Sequence, residues 1–155
     1  MPNISERMMY MNNAYYNCQN LTIMPPPNTG GTVMVRSFYN CVNLEGAPVC
    51  KYNTGNMYQT YYNCYKLSGD AYLVSDNISN MYQTFYGRRT DKALNIYVTK
   101  NSLTFNTLIS SPIVNTTPTW SDLGDGSYTN ALYNITIYTV DNALSLIEPP
   151  TNEEE

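Results

Sequence analysis

The side chains with chemistry to offer are four cysteines, 12 carboxylates and 16 tyrosines, and no histidine occurs in the 155 residues. Without histidine, a Ser–His or Cys–His nucleophile pair cannot be assembled. Cys18, Cys41, Cys50 and Cys64 include no closely spaced pair of the kind zinc uses, and Cys50 stands apart from the other three. Asp70, Asp76 and Asp91 could approach one another as the carboxylates of a glycoside hydrolase, but carboxylates along an edge are more simply a solvated surface. Asp122 and Asp125 offer oxygens that suit calcium. Their spacing is not that of a full EF-hand loop, however, and Asp125-Gly126 is a hairpin-turn signal. The reading is a chain without catalytic residues, metal site or cofactor.

Composition narrows the partners. Charged residues make up 13% of the chain, the formal net charge is −4 and the pI is near 4.7. A phosphate backbone demands a basic stripe, so nucleic acid is excluded as a partner. The basic residues are scattered; only Arg88, Arg89 and Lys92 lie close together, and these read as a solvated edge. No segment approaches the roughly 18 apolar residues of a membrane span. The stretch Met1–Arg7 has no basic region followed by an apolar run, so a protein outside the secretory route is expected. Sequons such as Asn20-Leu21-Thr22 arise by chance in a chain rich in Asn and Thr.

The strongest signal is a repeat. Cys18, Cys41 and Cys64 are 23 residues apart, each in the same phrase: Tyr15-Tyr16-Asn17-Cys18, Phe38-Tyr39-Asn40-Cys41 and Tyr61-Tyr62-Asn63-Cys64. A leucine follows each cysteine (Leu21, Leu44, Leu67) and a methionine precedes each (Met11, Met34, Met57). A fourth copy, Met81 to Arg88 with Phe85 as its aromatic, echoes the third at an offset of 24 and replaces Asn and Cys with Gly87 and Arg88. Matching Gly46–Cys50 with Asp70–Val74 puts the extra residue within Ser68–Asp70 and sets Cys50 opposite Val74. A repeated turn must present the same residue type at the same interior corner, because each copy stacks on the next. The cysteines are then small core residues, neither bridges nor ligands.

Small-aromatic-x-x-Cys-x-x-Leu at this spacing resembles the BspA-like, treponemal-type leucine-rich repeats, in Ala14-Tyr15 to Leu21, Ser37-Phe38 to Leu44 and Thr60-Tyr61 to Leu67. The variant with a methionine before the cysteine is similar to forms in bacterial surface proteins and gut bacteriophage genes. The resemblance covers about residues 8 to 100 and implies a curved solenoid used for adhesion or partner binding, with no shared enzymatic activity.

The expected fold class is therefore an α/β or mostly β solenoid: a short leucine-rich repeat array of about four coils with a β-containing C-terminal cap. Its parts are an N-terminal arm (1–7), the solenoid (8–100), a capping unit (101–147) and an acidic tail (148–155). Strands are expected near Leu21–Met24, Leu44–Cys50, Ala71–Val74 and Ala93–Thr99, with Leu94, Ile96 and Val98 inward. Outward neighbours Ile23, Glu45, Pro48, Tyr72, Asn95 and Tyr97 would form the binding face. The repeat core would be Met11, Tyr15, Cys18, Leu21, Met34, Phe38, Cys41, Leu44, Met57, Tyr61, Cys64, Leu67, Met81 and Phe85, each buried aromatic contributing about 2–3 kcal/mol. In the cap, a helix over Asn101–Ile109 with Thr99 or Asn101 as N-cap is expected, and Tyr133–Val140 would be the sheet's last strand.

Exposed tyrosines with Asn neighbours would suit a carbohydrate; alternatively, most tyrosines pack between coils. The expected function is a bacteriophage virion component meeting other virion proteins or a host-surface glycan or protein. A bacterial surface adhesin is the alternative, and homo-oligomers are compatible with the Tyr-rich faces.

Overall fold

A computed structural model describes residues 10–24, 33–50 and 54–147; the expected arm at 1–7 and tail at 148–155 lie outside them. The fold is mostly β, with one six-stranded mixed sheet and, among the described residues, one α-helix. In chain order the elements are β1 (Val49–Cys50), β2 (Gly69–Leu73), β3 (Leu94–Thr99), α1 (Leu103–Ser110), β4 (Ser121–Asp122), β5 (Ser127–Asn130) and β6 (Ile135–Val140). The sheet order is β1-β2-β3-β6-β5-β4, with β1, β2, β3 and β6 parallel and β5 and β4 antiparallel to their neighbours.

Alternation makes the central strands. Leu94, Ile96 and Val98 of β3 are fully buried between half-buried Asn95 and Tyr97. Ile135 and Ile137 of β6 are buried opposite Leu94 and Ile96. β6 is not the end of the sheet, because the hairpin at Asp125-Gly126 adds β5 and the two-residue β4 beyond it. An edge strand that short leaves little unpaired backbone. Asp122 Oδ1 accepts from Gly124 N–H, and Asp125 Oδ1 from Ser127, so both carboxylates are engaged in turns. Helix α1 starts later than expected, with Ser102 as N-cap. Ser102 Oγ accepts from Phe105 N–H at 3.1 Å. Asn101, at φ 58°, is left-handed and lacks the extended backbone an N-cap needs.

The aromatic phrases form turns that pair with the next copy. Met11, Met34 and Met57 N–H groups donate to the carbonyls of Val33, Asn56 and Asn80 at 2.9, 2.9 and 2.8 Å. Asn17, Asn40 and Asn63 donate to Tyr39, Tyr62 and Tyr86 at 2.7, 2.8 and 2.8 Å. In the fourth copy, Gln83 and Phe85 donate instead to Pro112 and Ile113, both at 2.8 Å, so the segment after α1 takes the place of a further copy. Each copy turns on two left-handed residues, in the columns Asn13, Arg36, Gln59, Gln83 and Asn17, Asn40, Asn63, Gly87. Asn tolerates that region best among non-glycine residues. At Gly87 a Cβ would lie 2.4 Å from Asn63 Oδ1, so a side chain there would displace the Asn63 amide.

Side chains follow the same columns. Tyr15, Phe38, Tyr61 and Phe85 stack at 5.0, 5.2 and 6.1 Å. Hydroxyls of Ser37, Thr60 and Thr84 donate back to the carbonyls of Met11, Met34 and Met57. The thiols of Cys41 and Cys64 donate to the carbonyls of Tyr15 and Phe38, both at 3.0 Å. Burial pushes the Cys50 thiol up to about 12 and raises Cys64 as well. Met11, Met34, Phe38, Cys41, Leu44, Met57, Tyr61, Cys64, Leu67, Met81 and Phe85 are buried. Cys18 differs from the expectation: it is exposed, and Tyr15 and Leu21 are only half-buried. Among the described residues no copy precedes theirs, so these side chains are covered on one side alone.

Two further expectations are corrected. Val49 faces Tyr72 and Cys50 faces Leu73, one residue away from the sequence match. Gly46 is bridged to Leu67, so more chain separates Leu67 from Tyr72 than separates Gly46 from Val49, and the excess lies within Ser68–Ala71. A one-residue slip exchanges the two faces of a strand. Pro48 is accordingly buried rather than outward, its carbonyl accepting from Tyr72 N–H at 3.0 Å. Arg88 is likewise buried and not part of a solvated edge. From the cysteine position of the fourth copy, its Nη1 donates to the carbonyls of Leu67 and Lys92 at 3.2 and 2.8 Å. Its Nη2 donates to the carbonyls of Asn134, at 3.1 Å, and Tyr133. Burial pulls the guanidinium down to about 10, against the pull of Asp91, so it stays charged at neutral pH.

Arg88→Ala removes the guanidinium donor from the Leu67, Lys92 and Tyr133 carbonyls, each worth about 1–3 kcal/mol if left unpaired and buried, while Asn134 keeps the bond from Leu94 N–H. The expected loss is about 3 kcal/mol or more in urea unfolding, with amides of β5 and β6 losing hydrogen-exchange protection first and Arg88→Lys recovering part of it. Thiol accessibility gives an independent check. Under native conditions iodoacetamide should modify Cys18, while Cys41, Cys50 and Cys64 react only after denaturant, read by peptide mass spectrometry; native labelling of Cys64 would contradict the packing.

Candidate binding face

The strands place side chains outward in register, so the face is built from residues facing the same way on neighbouring strands. Tyr72 on β2 is opposite Tyr97 on β3, which is opposite Tyr138 on β6. Their rings stack at 5.1 and 5.0 Å, with interplanar angles of 21° and 18°. Beside them, Asn95 Nδ2 donates to Asp70 Oδ1 at 2.9 Å. Burial raises the Tyr97 phenol, and the neighbouring Asp70, Tyr138 and Tyr72 add to the rise. Tyr72, Asn95 and Tyr97 therefore form one cluster. Ile23 and Glu45 sit elsewhere, bridged to each other on an earlier pair of copies and exposed. Pro48 belongs to the interior.

Sequence reasoning missed Tyr138, although the alternation in Ile135–Val140 matches that of β3. It also missed a second ladder on another side of the stack. Tyr16, Tyr39, Tyr62 and Tyr86 stack at 5.0, 4.6 and 4.4 Å. Their recurrence at the repeat interval was the available signal. Burial, then hydrogen bonding with Tyr86, pushes the Tyr62 phenol up to about 12. Arg36 extends this surface, lying 5.6 Å from the Tyr39 ring centroid and 5.8 Å from that of Tyr58, with Nε donating to Gln59 Oε1 at 2.8 Å.

The geometry limits what the ladders can bind. Sugars dock by laying their C–H groups on an open aromatic face, but Tyr97 has a ring on each side. What the ladder offers outward is ring edges and hydroxyls, a flat and largely uncharged strip suited to another protein surface. Among the described residues no group of three Cys, Asp or Glu side chains could hold a metal ion, and no helix is long and apolar enough to cross a membrane.

Tyr97→Phe tests the ladder without removing a ring. A raised phenol pKa contributes stability that is complete below the ordinary tyrosine value near 10 and is lost as pH rises above it. The variant should match the parent in denaturant unfolding at neutral pH and lose less stability between about pH 9 and about pH 11. Tyr97→Ala, which also removes two ring pairs worth about 0.5–1.5 kcal/mol each, should be destabilised at every pH. No family model, curated protein or solved structure matches this chain.

Proposed function

We propose that the protein is a non-enzymatic structural and binding module, a short leucine-rich repeat solenoid closed by a C-terminal cap, serving in a bacteriophage virion as a capsid decoration, fibre or tail-associated protein. The observation that carries this reading is how the repeat's reactive side chains are used. The hydroxyls and thiols of successive copies donate to backbone carbonyls of the preceding copy. They act as stacking groups. Two tyrosine ladders then supply flat surface for contacts with other virion proteins or a host surface. The repeat phrase equally resembles that of bacterial surface proteins, so an adhesin is the second reading.

Quantitative mass spectrometry of purified particles and of cell envelopes from the source material separates the two. The virion reading expects a constant copy number per particle that survives a salt wash. Absence from particles, with recovery from envelopes, would sink it in favour of the adhesin.

A further inference from the structure

The turn from aromatic phrase to strand is tight in the second and third copies, where Leu44 and Leu67 N–H groups bond back to Cys41 and Cys64. The fourth copy departs from this pattern. Asp91 stands 24 residues after Leu67, and the chain runs through Arg89, Thr90, Asp91 and Lys92 before β3 begins. The looser loop opens a cleft of about 210 Å³, lined by Glu45, Tyr65, Lys66, Arg89, Asp91 and Lys92. It is smaller than the roughly 300 Å³ at which drug-sized pockets begin, which suits a single sugar ring.

The charges in the cleft do not cancel. Lys66 pairs with Glu45 at 3.6 Å, and Asp91 acts on the buried Arg88. Among the described residues, Arg89 and Lys92 make no ion pair. Of the three cations lining the cleft, two are thus unpaired in a chain of net charge −4. Glu45 and Asp91 would repel a ligand bearing several negative charges but would accept hydrogen bonds from hydroxyl groups. Tyr65 is 38% exposed, and among the described residues no aromatic ring stacks on it, unlike the ladder tyrosines. Arg89 N–H donates to the Tyr65 carbonyl at 3.0 Å, which ties the two sides of the cleft together through the backbone.

We propose that this cleft binds one acidic sugar, a hexuronate or sialic acid type of residue. The ligand carboxylate meets Arg89 and Lys92, its ring lies against Tyr65, and its hydroxyls donate to Glu45 and Asp91. The inference deepens the binding-module reading by naming a ligand class. It is tested on the isolated protein, so the virion assignment can fail while this one stands, and the reverse.

Titration of the 15N-labelled chain with sodium glucuronate should give saturable amide shifts at residues 65–67 and 89–92. Glucose should give none there, and inorganic phosphate and a triglutamate peptide should bind more weakly than glucuronate. The double variant Arg89→Ala/Lys92→Ala should weaken glucuronate binding by about tenfold or more, as loss of hydrogen bonds to a charged group implies. Tyr65→Ala should weaken glucuronate but leave phosphate unchanged. Unaltered thermal unfolding of the variants shows that the fold is retained. No saturable shift, equal response to glucose, or tighter binding of phosphate or triglutamate would overturn the proposal.

Discussion

Backbone hydrogen bonds of 2.7–3.0 Å tie the aromatic turn of each copy to the next, and this holds the copies at the separation of adjacent β-strands, roughly 4.8 Å. The other regularities follow from that spacing. Flat rings set this far apart can meet only face to face, which is why Tyr15, Phe38 and Tyr61 stack nearly parallel and why a second column does the same at Tyr16, Tyr39 and Tyr62. Small donors fit the remaining corners because a hydroxyl or thiol reaches one neighbour's carbonyl and no further. Where the columns become strands, the interplanar angles of 21° and 18° between Tyr72, Tyr97 and Tyr138 express the ordinary twist between strands.

A stack of this kind satisfies every interior copy through its neighbours, so its ends need separate solutions. The first described copy carries Ala14 where later copies have Ser37, Thr60 and Thr84, and there is no preceding described carbonyl for a hydroxyl to reach. At the other end, Pro112 and Ile113 accept the amides that a next copy would accept. Arg88 then spans from the third copy to the approach of β6. A thiol at that position could reach one carbonyl, whereas a guanidinium presents several donors in a fixed fork and joins separate segments at once. The substitution in the fourth copy is also the one that fastens the approach to β6.

The repeat interval, the buried columns and the course of β3 and β6 were legible because each rests on a residue type recurring with a fixed period. What escaped depended on neighbours that a linear reading cannot place. Cys18 shares its phrase with Cys41 and Cys64, and only its position at the end of the described stack exposes it. Arg88 looked solvated because charge predicts exposure until four carbonyls converge on it. Matching residue types places Pro48 outward, whereas the longer chain between Leu67 and Tyr72 shifts the backbone register and turns it inward. The tyrosine face was recognised, but the stacking that closes its rings requires Tyr138, which lies 41 residues after Tyr97.

Stacking like on like also dictates where charge can reside. A charged side chain repeated down a column would face its own copy at about 5 Å, and directly opposed like charges destabilise a ladder. The low charged fraction of 13% is consistent with that exclusion. Arg36 is tolerated because its column continues with Gln59 and Gln83, which accept and relay its hydrogen bond without a second charge. Elsewhere charges collect where a column is interrupted: Glu45 beside Lys66 at the corner, and Arg89, Asp91 and Lys92 in the loop where no leucine closes the turn. The regular part of the molecule thus supplies rigidity and flat neutral surface. In the fourth copy, where the repeat fails, the chain gathers unpaired charge beside that rigid surface.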